Sequence, residues 1–139
     1  IPGCTPLLMC AAEMADTSLS TGQGMHGTLS RADTRNFQAA FGPDFKSGYA
    51  DPTPISNADI NPTLAHILGL TIAPKGGLTG RVITEALRDG KPVAYQHKVV
   101  RSAPAANGAV TVLQYQEADG RLYFDAAGRP GHTVGLTAK

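Results

Sequence analysis

Apolar and polar positions recur along this chain with periods that change, and each change marks an element. Leu7 to Ala12 is a short continuous run of apolar and small residues. It reads as a strand buried on both faces, although a short helix would give the same pattern. From Thr17 to Arg35 the chain is mostly polar, with several glycines and no period. A loop that long inside a compact domain is usually functional or disordered. Phe37, Ala39 and Phe41 then alternate with Asn36, Gln38 and Ala40, the period of a strand, and Gly42-Pro43 ends it. Asp44 to Pro54 reads as another loop.

The clearest helix comes next. Ser56 or Asn57 can cap it, Asp59 complements the helix dipole, and Pro62 falls in the first turn, where a missing N–H does least harm. Ile60, Leu64, Ile67 and Leu68 recur on one face, which predicts that they point into a core, and Gly69 is the expected stop. Pro74 to Gly80 reads as a loop and Val82 to Leu87 as a short helix or turn ending at Asp89-Gly90. Beyond Gly90 the period becomes two. Val93, Tyr95, His97 and Val99 alternate, Val110 to Tyr115 and Leu122 to Phe124 come after them, and Asn107-Gly108 and Asp119-Gly120 are dipeptides of hairpin turns. Three antiparallel strands are expected. The chain therefore divides into an α/β segment, residues 1–90, and a small antiparallel β subdomain, residues 91–139, packed on it.

Composition limits how much core can be built. Leu, Ile, Val and Phe supply 29 of 139 residues, while 20 are alanine and Gly plus Pro supply 26. A chain of this length is one ordinary domain, with a thin core. Charge limits the partners. Twelve basic and eleven acidic residues give +1, scattered singly, so no nucleic-acid-binding surface is expected. No apolar stretch approaches the ~20 residues of a membrane span. Cys4 and Cys10 read as unpaired thiols or as one small bridge. The first residue is Ile1, which is read as the mark of a processed or cut-down product.

Candidate chemistry sits in Thr21-Gly22-Gln23-Gly24-Met25-His26-Gly27. Glycines free the backbone to approach a ligand, and imidazole is a common zinc ligand, but one histidine alone is not a metal site. On these residues alone His26 reads as an exposed or structurally hydrogen-bonded loop histidine. His66, His97 and His132 lack acidic partners at motif spacing and read as structural. Arg31, Asp33 and Arg35 read as solvated surface charges, with a phosphate contact by either arginine as the other possibility. Tyr115 and Tyr123 read as cross-strand packing.

The order of residues from His26-Gly27-Thr28-Leu29-Ser30, through Phe41-Gly42-Pro43-Asp44-Phe45-Lys46, to Asn57-Ala58-Asp59-Ile60-Asn61-Pro62-Thr63 and Leu68-Gly69-Leu70 resembles the C-terminal end of the alkaline phosphatase superfamily. Its type I phosphodiesterases/nucleotide pyrophosphatases are the nearest branch. Gly80 to Leu87 extends the likeness, which covers roughly residues 15–90. The resemblance implies an α/β fold, the C-terminal part of an alkaline-phosphatase-like α/β/α sandwich, with the small β-meander after it. It implies a zinc-dependent phosphoric-ester hydrolase with a two-metal site, to which this chain contributes His26 as one ligand. The family's nucleophile and other ligands lie upstream, so no catalytic residue is assigned here, and Asp16, Thr17 and Ser20 match none of its motifs.

The implied partners are the missing N-terminal part of the same enzyme and a small phosphate-ester substrate. The implied location is periplasmic or secreted. The chain alone is expected to be inactive. The competing expectation is a structural or interaction module that keeps the fold segment without the chemistry.

Overall fold

The computed structural model describes residues 27–77 and 80–136. The Leu7–Ala12 strand, both cysteines and the loop up to His26 lie outside the described residues. What is described mixes short helices with one three-stranded antiparallel sheet. Its residues fall into two units, one of 27–37, 97–115 and 124–136, the other of 38–77, 80–96 and 116–123. No helix among the described residues is long and apolar enough to cross a membrane.

The sheet is the meander that the alternation predicts, with β1 at Tyr95–Arg101, β2 at Val112–Ala118 and β3 at Arg121–Gly128, in the order β1-β2-β3. The β2–β3 turn is Asp119-Gly120, and both residues have positive φ, 48° and 69°. That is the backbone a two-residue type I′ hairpin requires, and Asp-Gly is among the few pairs that adopt it cheaply.

In the first unit, Val112, Ala126 and Leu136 form a small buried cluster, with half-buried Val110 against it. Among the described residues of this unit, that cluster holds three residues, one of them alanine. A single helical turn, α1 (Arg31–Thr34), lies in the stretch read as irregular.

In the second unit, Ser56 closes a capping box. Its hydroxyl accepts the Ala58 N–H at 3.2 Å, while the Asp59 carboxylate accepts the Ser56 N–H at 2.8 Å. A 3-10 turn (Asn57–Asp59) leads into α2 (Ile60–Ile67), and Gly69 ends the helix at φ 65°.

Two expectations fail. Ile60, Leu64 and Leu68 are 40%, 46% and 67% exposed, Ile67 is half-buried, and the buried residues of α2 are Thr63 and Ala65. The inner side of this helix meets backbone rather than an apolar layer, because the Thr63 hydroxyl accepts the Ile83 N–H at 3.0 Å. A small residue with a hydrogen-bonding group suits that contact better than leucine does. The strand read at Phe37–Phe41 is absent as well: Phe37 and Phe41 are 87% and 92% exposed. A strand needs a neighbour for its N–H and C=O groups, and the only sheet among the described residues is β1-β2-β3.

Candidate functional site

His26 lies outside the described residues, which begin at Gly27, so the structure places none of its contacts. The segment from Gly27 to Thr34 is tightly tied. Gly27 has φ 86°, a conformation that favours glycine. The Thr28 N–H donates to Asp33 Oδ2 at 2.9 Å, and the Thr28 hydroxyl donates to the same oxygen. Arg31 pairs with Asp125, a β3 residue, and the Thr34 hydroxyl donates to the Asp125 carbonyl at 2.5 Å. Of the three charges read as solvated, only Arg35 is exposed. Arg31 and Asp33 are half-buried and bonded.

The most heavily bonded group in the second unit was not singled out by its sequence. Arg81 and Glu85 are 5% and 0% exposed, although charged side chains are almost never fully buried unless paired. They form a two-pronged ion pair, Nη2 to Oε1 at 2.5 Å and Nη1 to Oε2 at 2.8 Å. Nη1 also donates to the Val82 carbonyl at 3.3 Å, Nη2 to the Pro54 carbonyl at 3.1 Å, and Nε to the Tyr123 hydroxyl at 2.8 Å. That uses all five guanidinium donors.

Burial opposes the charge on Arg81, but the hydrogen bonds and charge of Glu85 outweigh it and raise its pKa above the ordinary arginine range. Asp59, 1% exposed, accepts the Arg81 N–H on Oδ1 at 2.8 Å and the Ser56 N–H on Oδ2. Thr63 completes the set by donating to the Asp59 carbonyl at 2.7 Å. A guanidinium with no donor left over holds loops together. It has nothing to offer a substrate.

The described surface of this unit includes two open depressions. One is lined by Phe45, Lys46, Ser47, Gly48, Tyr49 and Arg88. Its cations are engaged in structure: Lys46 Nζ donates to the Glu85 and Gly90 carbonyls at 2.7 and 2.8 Å and lies 4.7 Å from the Tyr49 ring centre, while Arg88 donates to the Pro43 carbonyl. The other includes Asp44, His66 and Asp89. His66 and His97 are exposed and His132 is half-buried. Among the described residues, no group of three or more His, Cys, Asp or Glu side chains could hold a metal ion. The imidazole of His26 has donor chemistry that zinc accepts, and it is the one ligand expected from this chain.

Arg81 and Glu85 did leave a trace in the sequence: opposite charges at i and i+4. Spacing alone gave no hint that the pair is buried. No family model, no curated protein and no solved structure matches this chain.

Proposed function

We propose that this chain is the C-terminal part of a zinc-dependent phosphoric-ester hydrolase of the alkaline phosphatase superfamily, folded within its α/β/α sandwich and contributing His26 as one metal ligand. One observation carries the reading. The resemblance rests on separate short stretches, and two of them, Asp59-Ile60-Asn61-Pro62-Thr63 and Gly80 to Leu87, meet in one buried network through Asp59, Thr63, Arg81 and Glu85.

In this reading Asp59 and Arg81 serve the framework, and His26 supplies a neutral imidazole nitrogen. Zinc, when bound, would lower the pKa of the attacking hydroxyl or water and offset charge developing on the phosphate ester. The remaining ligands and the nucleophile come from the N-terminal part, and the substrate is a small phosphate ester. The exposed apolar residues of α2 also suit a non-catalytic interaction module, which would need no zinc.

The deciding measurement is elemental analysis of zinc on the folded product of the complete reading frame. His26→Ala lowers zinc content and cuts kcat/KM on nitrophenyl phosphate esters by orders of magnitude, while the thermal midpoint of the metal-free protein stays near wild type. A wild-type zinc content in the mutant removes the reading and leaves the module. The 139-residue chain by itself is expected to show no turnover above background.

A further inference from the structure

We propose that Asn107 is a site of spontaneous covalent modification, converting to aspartate and isoaspartate through a succinimide closed by the Gly108 nitrogen, at a pace set by the turn around it. The chain holds four asparagines, Asn36, Asn57, Asn61 and Asn107, and their successors are Phe37, Ala58, Pro62 and Gly108. Ring closure needs the nitrogen of the next residue to reach the side-chain carbon of the asparagine. Pro62 has no N–H to give up, and Phe37 and Ala58 each carry a Cβ that crowds the approach. Gly108 has the N–H and lacks the Cβ.

The connection between β1 and β2 presents this pair to solvent. Asn107 and Gly108 are both exposed, and a Cβ built on Gly108, at φ 78°, would meet no atom within 4 Å outside its chain neighbours. The Ala109 N–H donates to Asn107 Oδ1 at 3.1 Å. That oxygen takes up negative charge as the nitrogen adds, so a donor already in place favours the addition. The Gly108 N–H works the other way, because it donates to the Ala105 carbonyl at 2.8 Å and must leave that bond before its proton can pass to water. The turn is closed around it by the Ala105 N–H to the Ala109 carbonyl at 2.8 Å and by the Ser102 N–H to the Thr111 carbonyl at 2.9 Å, while the Thr111 N–H donates to Ser102 Oγ at 3.0 Å. The two effects are unequal. An exposed donor on Oδ1 only replaces the water that serves the unfolded chain, whereas the Gly108 bond has to be broken. The native turn is a brake.

In the reaction, water or hydroxide takes the proton from the Gly108 nitrogen, which bonds to Asn107 Cγ. The Cγ–Nδ2 bond breaks, and the released nitrogen takes up a proton and departs as ammonia. Water then opens the succinimide ring. Attack at Cγ restores the main chain and leaves aspartate at position 107. Attack at the main-chain carbonyl leaves isoaspartate, with the chain running through the former side chain and longer by one methylene. In sum, one water is consumed and one ammonia released, with no change of oxidation state. Aspartate keeps an oxygen acceptor for the Ala109 N–H. The added methylene of isoaspartate displaces Ala109 from its pairing with Ala105.

The test incubates the full chain at mildly alkaline pH, native and in guanidinium chloride, and follows position 107 by peptide mass and by isoaspartate-specific methyl transfer. Both samples lose ammonia at Asn107 ahead of the other three asparagines, and aspartate and isoaspartate appear together. The native sample reacts about 2–10-fold more slowly, the factor that the net worth of one hydrogen bond corresponds to. Ser102→Ala removes the acceptor of the Thr111 N–H at the base of the turn; it speeds the native reaction and leaves the denatured rate unchanged. Asn107→Gln, whose added methylene forces a larger ring, suppresses the product at this position in both samples. A native chain that keeps Asn107 intact while the denatured sample converts overturns the inference. So do native and denatured rates that coincide, and so does a native rate that Ser102→Ala does not change.

Discussion

Arg81 and Glu85, four residues apart, form an ion pair whose side chains are 3% and 0% exposed, with two hydrogen bonds between them. Glu85 is the largest fully buried side chain described in this chain. In a chain poor in large aliphatic residues, this salt bridge takes up buried volume in the second unit. Desolvating two charges offsets much of their attraction, so such a pair adds little net stability compared with apolar residues of the same volume. Its value is geometric. One guanidinium ties together Pro54, Val82, Glu85 and Tyr123, from three separate stretches of chain.

Removing one partner should therefore cost far more than removing both. Arg81→Ala or Glu85→Ala leaves an uncompensated buried charge and should destabilise by about 3–5 kcal/mol. Against a total of ~5–15 kcal/mol, that is enough to unfold much of the population. Arg81→Met combined with Glu85→Leu should cost less than either Arg81→Met or Glu85→Leu alone. Urea midpoints over the resulting cycle check this, and additive losses would mean that the two charges do not interact.

Tyr123 supplies a pH dependence. Burial raises its phenol above the ordinary value of 10.0, Arg81 pulls the other way, and Asp59 adds to the rise. Between the unfolded and the folded pKa, the unfolded chain binds fewer protons, so stability falls as pH rises. The contribution is complete below about pH 10 and is lost as pH climbs through the raised value. Arg81, charged in both states throughout this range, adds no slope. Tyr49 shifts in the same direction through desolvation and Asp51, so Tyr123→Phe should flatten the alkaline decline without abolishing it. The same change should cost about 1–3 kcal/mol at neutral pH, because Arg81 Nε loses its acceptor. Urea midpoints taken from neutral to alkaline pH measure both effects.

Two glycines should be irreplaceable for reasons of space. A Cβ at Gly80 would stand 2.0 Å from the Ala58 carbonyl oxygen, and one at Gly90 would stand 1.6 Å from that of Thr84. Both obstacles are backbone and cannot swing aside. Gly80→Ala should also disturb the neighbouring Arg81 N–H bond to Asp59. Gly77, with nothing within 4 Å of its Cβ position and no positive φ, is the control. Thermal midpoints should fall by several degrees or more for the first two and hold for Gly77→Ala.

The sequence made legible what depends on neighbours along the chain. The meander, its Asp119-Gly120 turn, the Ser56 cap and the Gly69 stop all come from local rules, and all are present. What it concealed depends on contacts across the chain. The alternation at Phe37–Phe41 looks like a strand because nothing in a pattern says whether a partner strand exists. Asp59 looked like a dipole partner, and its second bond, to the Arg81 N–H twenty-two residues away, has no local signature. Asp33 looked like a surface charge because the Thr28 and Asp33 pairing spans a turn that no periodicity registers.

The helix α2 separates periodicity from burial most directly. Its apolar stripe predicts that Leu64 and Leu68 carry stability, yet they are 46% and 67% exposed, whereas Thr63 is 4% exposed and bonded twice. Leu68→Ala in the 139-residue chain should change stability by no more than about 0.5 kcal/mol, as for an exposed position. Thr63→Val keeps the shape and removes the hydroxyl, leaving the buried Ile83 N–H without an acceptor, which should cost about 1–3 kcal/mol. The ranking is the reverse of what hydrophobicity gives, and denaturant midpoints of the two variants decide it. A larger loss for Leu68→Ala would mean that the apolar face of α2 is covered by something other than the described residues. In that case Leu64→Ala should show the same excess, because the two lie one turn apart on that face.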